Sequence, residues 1–356
     1  MLCAIAERAP ELQFPILTGV SAGAINAVYL AAHRGPLAAA AETLRVEWSR
    51  LTVDHVYRLR PLGLGRALLR GLAQLRPGGG AAPAVMHGVL DMRPLREFLT
   101  NGIDLSGIDA NITSGRLRAA ALSATSYPSG DTVTFVHGSP DVPTWRRALR
   151  YAVRVRLAID HVMASAALPI LFSAVRVGDA FYGDGSVRQT APLAPAIHLG
   201  ATALLVITQR TDPGQAPAVR RLDAYPTVAE VAGLLLHSIF LDALEADVER
   251  LERLNRVLAE LPAGASAPDG LRPVRLLVVR PSRHLGELAA GHSARLPRLI
   301  RWVVRGLGGD SASAVDFLSY LLFDPVYTTT LIELGYEDAR RDWPRIERFL
   351  GSSLHG

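Results

Sequence analysis

Apolar positions along this chain follow two patterns. Some recur every three to four residues and predict helices; others form short continuous runs that predict buried strands. Leu2 to Ala9 sets Leu2, Ile5 and Ala6 at helical spacing, and Pro10 closes the segment. Gln13 to Thr18 is a short apolar run ending at Gly19, which predicts a buried strand. Ala24 to His33 predicts a helix rich in small residues. Pro36 to Leu51 predicts another, with Leu37, Leu44 and Trp48 on one side. Leu64 to Leu75 is helix-like and basic, and Pro77 to Pro83 is a glycine-rich break. Asp91 stands where it would cap a short helix reaching Leu99.

Arg116 to Thr125 and Thr132 to Val136 read as strands joined by the hairpin signal Pro128-Ser129-Gly130-Asp131. Trp145 to Ala167 reads as helical or broken-helical, stopping at Pro169. Ala174 to Val177 and Ala180 to Tyr182 flank Gly178-Asp179, which suits a two-residue hairpin turn. Leu193 to Leu199 predicts a helix, Ala203 to Thr208 a buried strand and Thr227 to Leu261 a long helix with Glu–Arg pairs at i,i+4. Val274 to Val279 is a further strand, and from Ser293 the pattern is mostly helical. Helices alternating with β-branched runs predict a three-layer α/β architecture. With no internal repeat and no clear linker, one domain with a helical C-terminal extension is expected.

Composition narrows the class. The 356 residues are 49% hydrophobic, enough for a substantial core and too many for a disordered chain. Cys3 stands alone, which excludes an internal disulfide and a cysteine-rich metal site. Net charge is +5, and the basic side chains are all arginine, with no lysine. That mild excess favours an anionic surface and is no nucleic-acid footprint. No apolar leader develops after Met1, since Glu7, Arg8 and Pro10 interrupt it at once. Val231 to Leu244, the best candidate for a membrane span, contains His237 and Asp242. A cytoplasmic protein, soluble or peripheral to the membrane, is expected. The sequence holds no zinc spacing, no Walker loop and no dinucleotide fingerprint, so no metal or organic cofactor is expected.

One turn carries candidate chemistry. Gly19-Val20-Ser21-Ala22-Gly23 lies between the apolar strand and the small-residue helix. A serine on such a sharp turn presents its hydroxyl, and flanking glycines let other backbone pass close by. The Ala22 N–H then lies at a helix N-terminus, where donors and dipole stabilise an oxyanion. The serine needs a base. None of the ten histidines sits in a pattern that singles it out. Asp184, between two glycines at the end of the second hairpin, is the best carboxylate; a plain Asx turn is the other reading of it.

Together these segments resemble the patatin-like phospholipases. The resemblance rests on Gly19 to Ala27, on Ala164-Ser165-Ala166-Ala167-Leu168-Pro169-Ile170-Leu171-Phe172 and on Asp184-Gly185-Ser186. Leu90 to Leu95, Leu321 to Pro325 and Leu331 to Tyr336 look like bacterial members. The resemblance implies a three-layer α/β/α fold with a central, mostly parallel sheet. It implies a catalytic domain over residues 1–210, with residues 211–356 a mostly helical part completing it and one strand near 274–279. It implies a Ser–Asp dyad, Ser21 the nucleophile and Asp184 the general base, acting on a lipid ester through an acyl-enzyme.

Two departures from the family pattern stand out. Ser186 replaces the usual Gly or Ala of the Asp-Gly motif. The family's glycine-rich oxyanion loop should end just where Met1 falls. Gly78-Gly79-Gly80 lies downstream, follows no strand and does not stand in for it. The expectation is a loop upstream of Met1, and with it room for a targeting segment. The alternative is a catalytically impaired lipid- or protein-binding module. A Ser-Asp-His hydrolase ranks below both, because only 18 residues precede Gly19. For membrane contact, Arg298, Arg301 and Arg305 line one side of Leu296 to Leu307, the pattern of an interfacial helix. The same pattern fits a helix packed on the core. Leu64 to Leu75 reads either as a lid or as a solvated connector.

Overall fold

The computed structural model describes residues 1–59, 88, 90–169, 171–212, 228–262, 270–296 and 319–351; of residues 59, 228–242 and 293 it describes the backbone only. The predicted segments Leu64 to Leu75, Gly78 to Gly80 and the Arg298, Arg301 and Arg305 stripe lie outside the described residues.

In chain order, α1 (Leu2–Arg8) leads to β1 (Ile16–Gly19), α2 (Ala22–Ala32), α3 (Leu37–Arg50) and α4 (Val53–Val56). A short ribbon, β2 (Arg58–Leu59) with β3 (Leu90–Asp91), precedes α5 (Arg93–Gly102) and α6 (Ser106–Thr113). Then come β4 (Ala119–Ser126), β5 (Thr132–Gly138), β6 (Arg146–Arg147), β7 (Arg150–Arg154), α7 (Ile159–Ser165), β8 (Val175–Val177) and β9 (Ala180–Asp184). The remainder is α8 (Ala194–His198), β10 (Ala203–Ile207), α9 (Val228–Ala259), β11 (Arg275–Val279), α10 (Leu285–Gly291), α11 (Pro325–Arg341) and α12 (Trp343–Gly351).

These elements form two compact units, Phe14–Arg34 with Thr52–Gln189, and Met1–Gln13 with Gly35–Leu51 and Thr190–Gly356. The first is built on a seven-stranded sheet in the order β6-β7-β5-β4-β9-β8. The free edge of β4 is shared: β1 pairs with Ala119 to Leu122, and β9 with Ala124 to Ser126. Every residue of β4 is buried. Its sequence, Ala-Ala-Ala-Leu-Ser-Ala-Thr-Ser, explains how: short side chains let α2 and α7 pack closely on the strand. Helix α2 answers with its own small stripe, Ala24, Ala27, Val28, Ala31 and Ala32. Asn111 then donates from its amide to the carbonyls of Ala31 and His33, closing the C-terminal end of α2.

Two expectations are corrected. The sheet is mixed, not mostly parallel: β1–β4 and β5–β7 run parallel, whereas β4–β5, β4–β9, β6–β7 and β8–β9 run antiparallel. The cause lies in the connections, since strands joined by the short turns at Pro128–Asp131 and Gly178–Asp179 must pair antiparallel. Residues 145–167 are not helical throughout. Arg146–Arg147 and Arg150–Arg154 are strands, and only Ile159–Ser165 is helix. Tyr151-Ala152-Val153 continues the sheet beside Val133-Thr134-Phe135, where cross-strand packing outweighs local helical spacing.

In the second unit β10 and β11 pair in parallel. Ile5, Leu277, Val279, Ala339 and Ile346 form one core cluster, which joins α1, β11, α11 and α12. Leu193, Leu204, Leu251 and Val274 form another beneath α9. Asn255 accepts from the Val274 N–H and donates to the Val274 carbonyl, satisfying both backbone groups as the chain enters β11. Around β11, the described C-terminal helices are α9, α10, α11 and α12. No described helix is long and apolar enough to cross a membrane.

Candidate active site

Strand β4 acts as the ruler of the site. β1 runs along it in parallel until Gly19 faces Leu122. β9 runs along the same edge from the opposite end until Asp184 faces Ala124. The two strand ends converge on Ser123. Ser21, two residues beyond the end of β1, and Asp184, the last residue of β9, are thereby brought together although 163 positions separate them in the sequence.

Ser21 caps the start of α2 with φ 54° and ψ −126°, a left-handed backbone that a residue bearing a Cβ seldom adopts. Such strain costs about 1–3 kcal/mol and persists only where neighbours impose it. Gly19 is one cause. A Cβ there would lie 2.2 Å from the Gly23 carbonyl oxygen, so only glycine lets the strand end meet the helix start so closely. Gly23 behaves differently from expectation: a Cβ would meet nothing there, and its carbonyl is what crowds Gly19. Ala22 is the first residue of α2, so its N–H has no acceptor within the helix and remains a donor at the positive end of the dipole.

Ser165 is the second cause of the elbow's shape. The Ser21 N–H donates to Ser165 Oγ at 3.1 Å, and the Ser165 hydroxyl donates to the Ser123 carbonyl at 2.7 Å. Ser165 is fully buried. Two residues on, the Ala167 carbonyl accepts the Asp184 N–H at 2.8 Å. One short segment at the end of α7 therefore grips both the serine and the aspartate. From the other side Thr125 Oγ1 donates to the Asp184 carbonyl at 2.8 Å. Gly185 permits the return: a Cβ there would lie 2.2 Å from the Ser123 oxygen. Ser165 and Thr125 were missing from the candidates. The signal for Ser165 was present in the Ala164 to Pro169 segment, but sequence alone gave it no partner.

The Asp184 carboxylate is fully buried. Its Oδ1 accepts the Ser186 N–H at 2.9 Å, so a serine at this third motif position keeps the turn that Gly or Ala would make. Its Oδ2 has no hydrogen-bond partner among the described residues. The Ser21 side chain is nonetheless close enough to draw the carboxyl's pKa down. The contact is thus a loose approach of hydroxyl to carboxylate, as is common in catalytic pairs before substrate arrives. Burial dominates and raises the carboxyl to about 6, against the opposing pull of Ser21 and Ser186.

Histidines take other partners. His137 faces Asp109 at 3.0 Å, His161 accepts the Ala158 N–H at 2.9 Å and His55 accepts the Thr52 N–H at 3.3 Å. Among the described residues none is a hydrogen-bond partner of Ser21 or Asp184. No group of three His, Cys, Asp or Glu among them is placed to hold a metal ion.

A mixed α/β sheet, a serine on a strand-to-helix elbow and a buried aspartate facing it define a class of α/β proteins with an elbow serine and a carboxylate partner. Within that class, the patatin-like phospholipase family model matches residues 1–197, more than half of the chain, and the chain belongs to this family. The match covers both motifs and the whole sheet of the first unit. A comparison with curated proteins finds no match.

Proposed function

We propose that the chain is a serine acyl-ester hydrolase of lipid substrates, working through a Ser21–Asp184 dyad. The observation that carries this reading is the pairing of a strained, half-buried Ser21 with a buried carboxylate whose Oδ2 is unsatisfied among the described residues. In the first step Asp184 takes the Ser21 proton as Oγ attacks the ester carbonyl carbon. The oxyanion that forms lies at the start of α2, where the Ala22 N–H donates to it. The intermediate collapses to an acyl-Ser21, and the alcohol leaves with a proton from Asp184. Asp184 then deprotonates water, which attacks the acyl carbonyl; as the acyl–Oγ bond breaks, Asp184 returns that proton to Ser21 Oγ and the fatty acid leaves. A carboxyl raised to about 6 suits both duties, since it gains and loses a proton near neutral pH.

Hydrolysis of p-nitrophenyl acyl esters of graded chain length tests the reading. Wild type is expected to turn over, with Ser21→Ala and Asp184→Asn at least a thousandfold slower. Equal rates for wild type and Ser21→Ala would remove Ser21 from the mechanism. Folded wild type with no turnover on any chain length would favour the binding-module reading.

A further inference from the structure

Strand register brings three exposed apolar side chains to one end of the first unit's sheet. Arg150 of β7 faces Thr132 of β5, Thr132 faces Thr125 of β4, and Thr125 faces Gly183 of β9. Leu149 stands one residue outside that line, and Tyr127 and Phe181 two residues outside it. Leu149 is 63% exposed, Phe181 51% and Tyr127 49%. Backbone bonds fix the arrangement: the Thr132 N–H donates to the Leu149 carbonyl and the Tyr127 N–H to that of Phe181. With strands about 4.8 Å apart, the row spans roughly 15 Å. Asp184 lies three residues further along β9 than Phe181, about 10 Å in from this end.

Leu149 stands out twice. It occupies the β6–β7 turn at φ 60°, a position that suits glycine, and it carries a large apolar side chain into solvent. Strain and exposure together point to something that meets the tip. The charge around it indicates what. Residues 143–156 contain five arginines and no carboxylate. Arg154 is taken up by the carbonyls of residues 138–140 and 142, and Arg156 by Asp109. Arg146, Arg147 and Arg150 make no ion pair among the described residues. Among the described residues Arg146 stacks on Tyr151, Arg147 bonds the neighbouring Arg146 carbonyl, and the buried Arg150 Nε has no partner. The adjoining turns add one aspartate each, Asp131 and Asp179, too few to neutralise the three.

We propose that this sheet end docks on an anionic lipid bilayer, with Leu149, Tyr127 and Phe181 entering the headgroup–acyl boundary and Arg146, Arg147 and Arg150 meeting lipid phosphates. Separate apolar side chains beside a cluster of arginines suit a bilayer interface better than a protein partner, whose contact would need a continuous apolar centre. The inference rests on the lipid-hydrolase reading, because it sets the dyad close to the surface that holds its substrate.

Co-sedimentation of the full chain with vesicles of phosphatidylcholine, alone or with phosphatidylglycerol, tests it. Ser21→Ala protein is used so that no lipid is consumed. Binding is expected only to the phosphatidylglycerol vesicles. Leu149→Gly should weaken it about tenfold, since an apolar side chain no longer leaves water. Arg146→Ala/Arg147→Ala should weaken it about twenty-fivefold, at roughly fivefold per arginine. Leu149→Gly also guards against misfolding, because glycine relieves the left-handed backbone and should keep or raise the melting temperature. Binding unchanged in both variants, or capture by soluble heparin with none by vesicles, would overturn the proposal. Failure of the hydrolase reading shows separately, as absence of turnover of a soluble p-nitrophenyl ester by wild type.

Discussion

Replacing Asp184 by Asn should abolish turnover and stabilise the fold. The carboxyl is fully buried, and its pKa is raised from 3.8 to about 6. The ionised form is therefore destabilised in the native state by about two pKa units, or roughly 3 kcal/mol. The sign follows from linkage. Below about pH 4 the carboxyl is protonated both folded and unfolded, and no penalty exists. As pH rises through 4 to 6 the unfolded chain releases its proton first, and stability falls; above about 6 the full penalty is present. An asparagine keeps the Oδ1 acceptor for the Ser186 N–H, removes the charge and offers its NH2 toward Ser21. The variant should therefore gain up to about 3 kcal/mol at pH 7.5 and nothing near pH 4. If the whole chain unfolds together, that is a rise in Tm of roughly 4 °C. Thermal and urea denaturation of both proteins at several pH values measure the difference. A variant less stable than wild type at pH 7.5, or a gap independent of pH, would refute the burial argument.

Three further outcomes follow from the same geometry. Ser165→Ala removes the acceptor of the Ser21 N–H and should cost about 1–3 kcal/mol of stability; kcat should fall at least tenfold with KM little changed, and ester kinetics with urea melts check both. Gly19→Ala puts a Cβ 2.2 Å from the Gly23 oxygen, so soluble, cooperatively melting protein should be lost, as circular dichroism would show. The pH profile of kcat/KM on a soluble ester should rise with unit slope to a plateau, with an apparent pKa about 6, because in the proposed dyad it is the ionised Asp184 that accepts the proton.

Much of this site is readable from residues alone. Gly19 to Gly23 between an apolar run and a small-residue run specifies a strand, an elbow and a helix, and these are what the structure contains. Gly178-Asp179 likewise specifies the turn before β9, which delivers Asp184. What no local pattern conveys is shared use of an edge. That β1 and β9 meet end to end along β4 depends on register over more than a hundred residues, and it alone brings Ser21 to Asp184. Ser165 escaped for the same reason: a small polar residue near a helix end has many possible partners until β4 lies beneath it. Arg146 to Arg154 shows the reverse error. Its spacing suits a helix locally, but sheet neighbours decide otherwise. The mixed sheet was implied by the two hairpin signals, since short turns exclude parallel pairing.

Covalent trapping of the nucleophile tests the centre of the mechanism most directly. A fluorophosphonate phosphonylates an activated serine, with fluoride leaving, and does not label an ordinary hydroxyl; intact-mass spectrometry with peptide mapping locates the adduct. One adduct per chain on Ser21 is expected, absent in Ser21→Ala and at least a hundredfold slower in Asp184→Asn. Labelling that persists in Ser21→Ala, or runs at the wild-type rate in Asp184→Asn, would contradict the Ser21–Asp184 dyad.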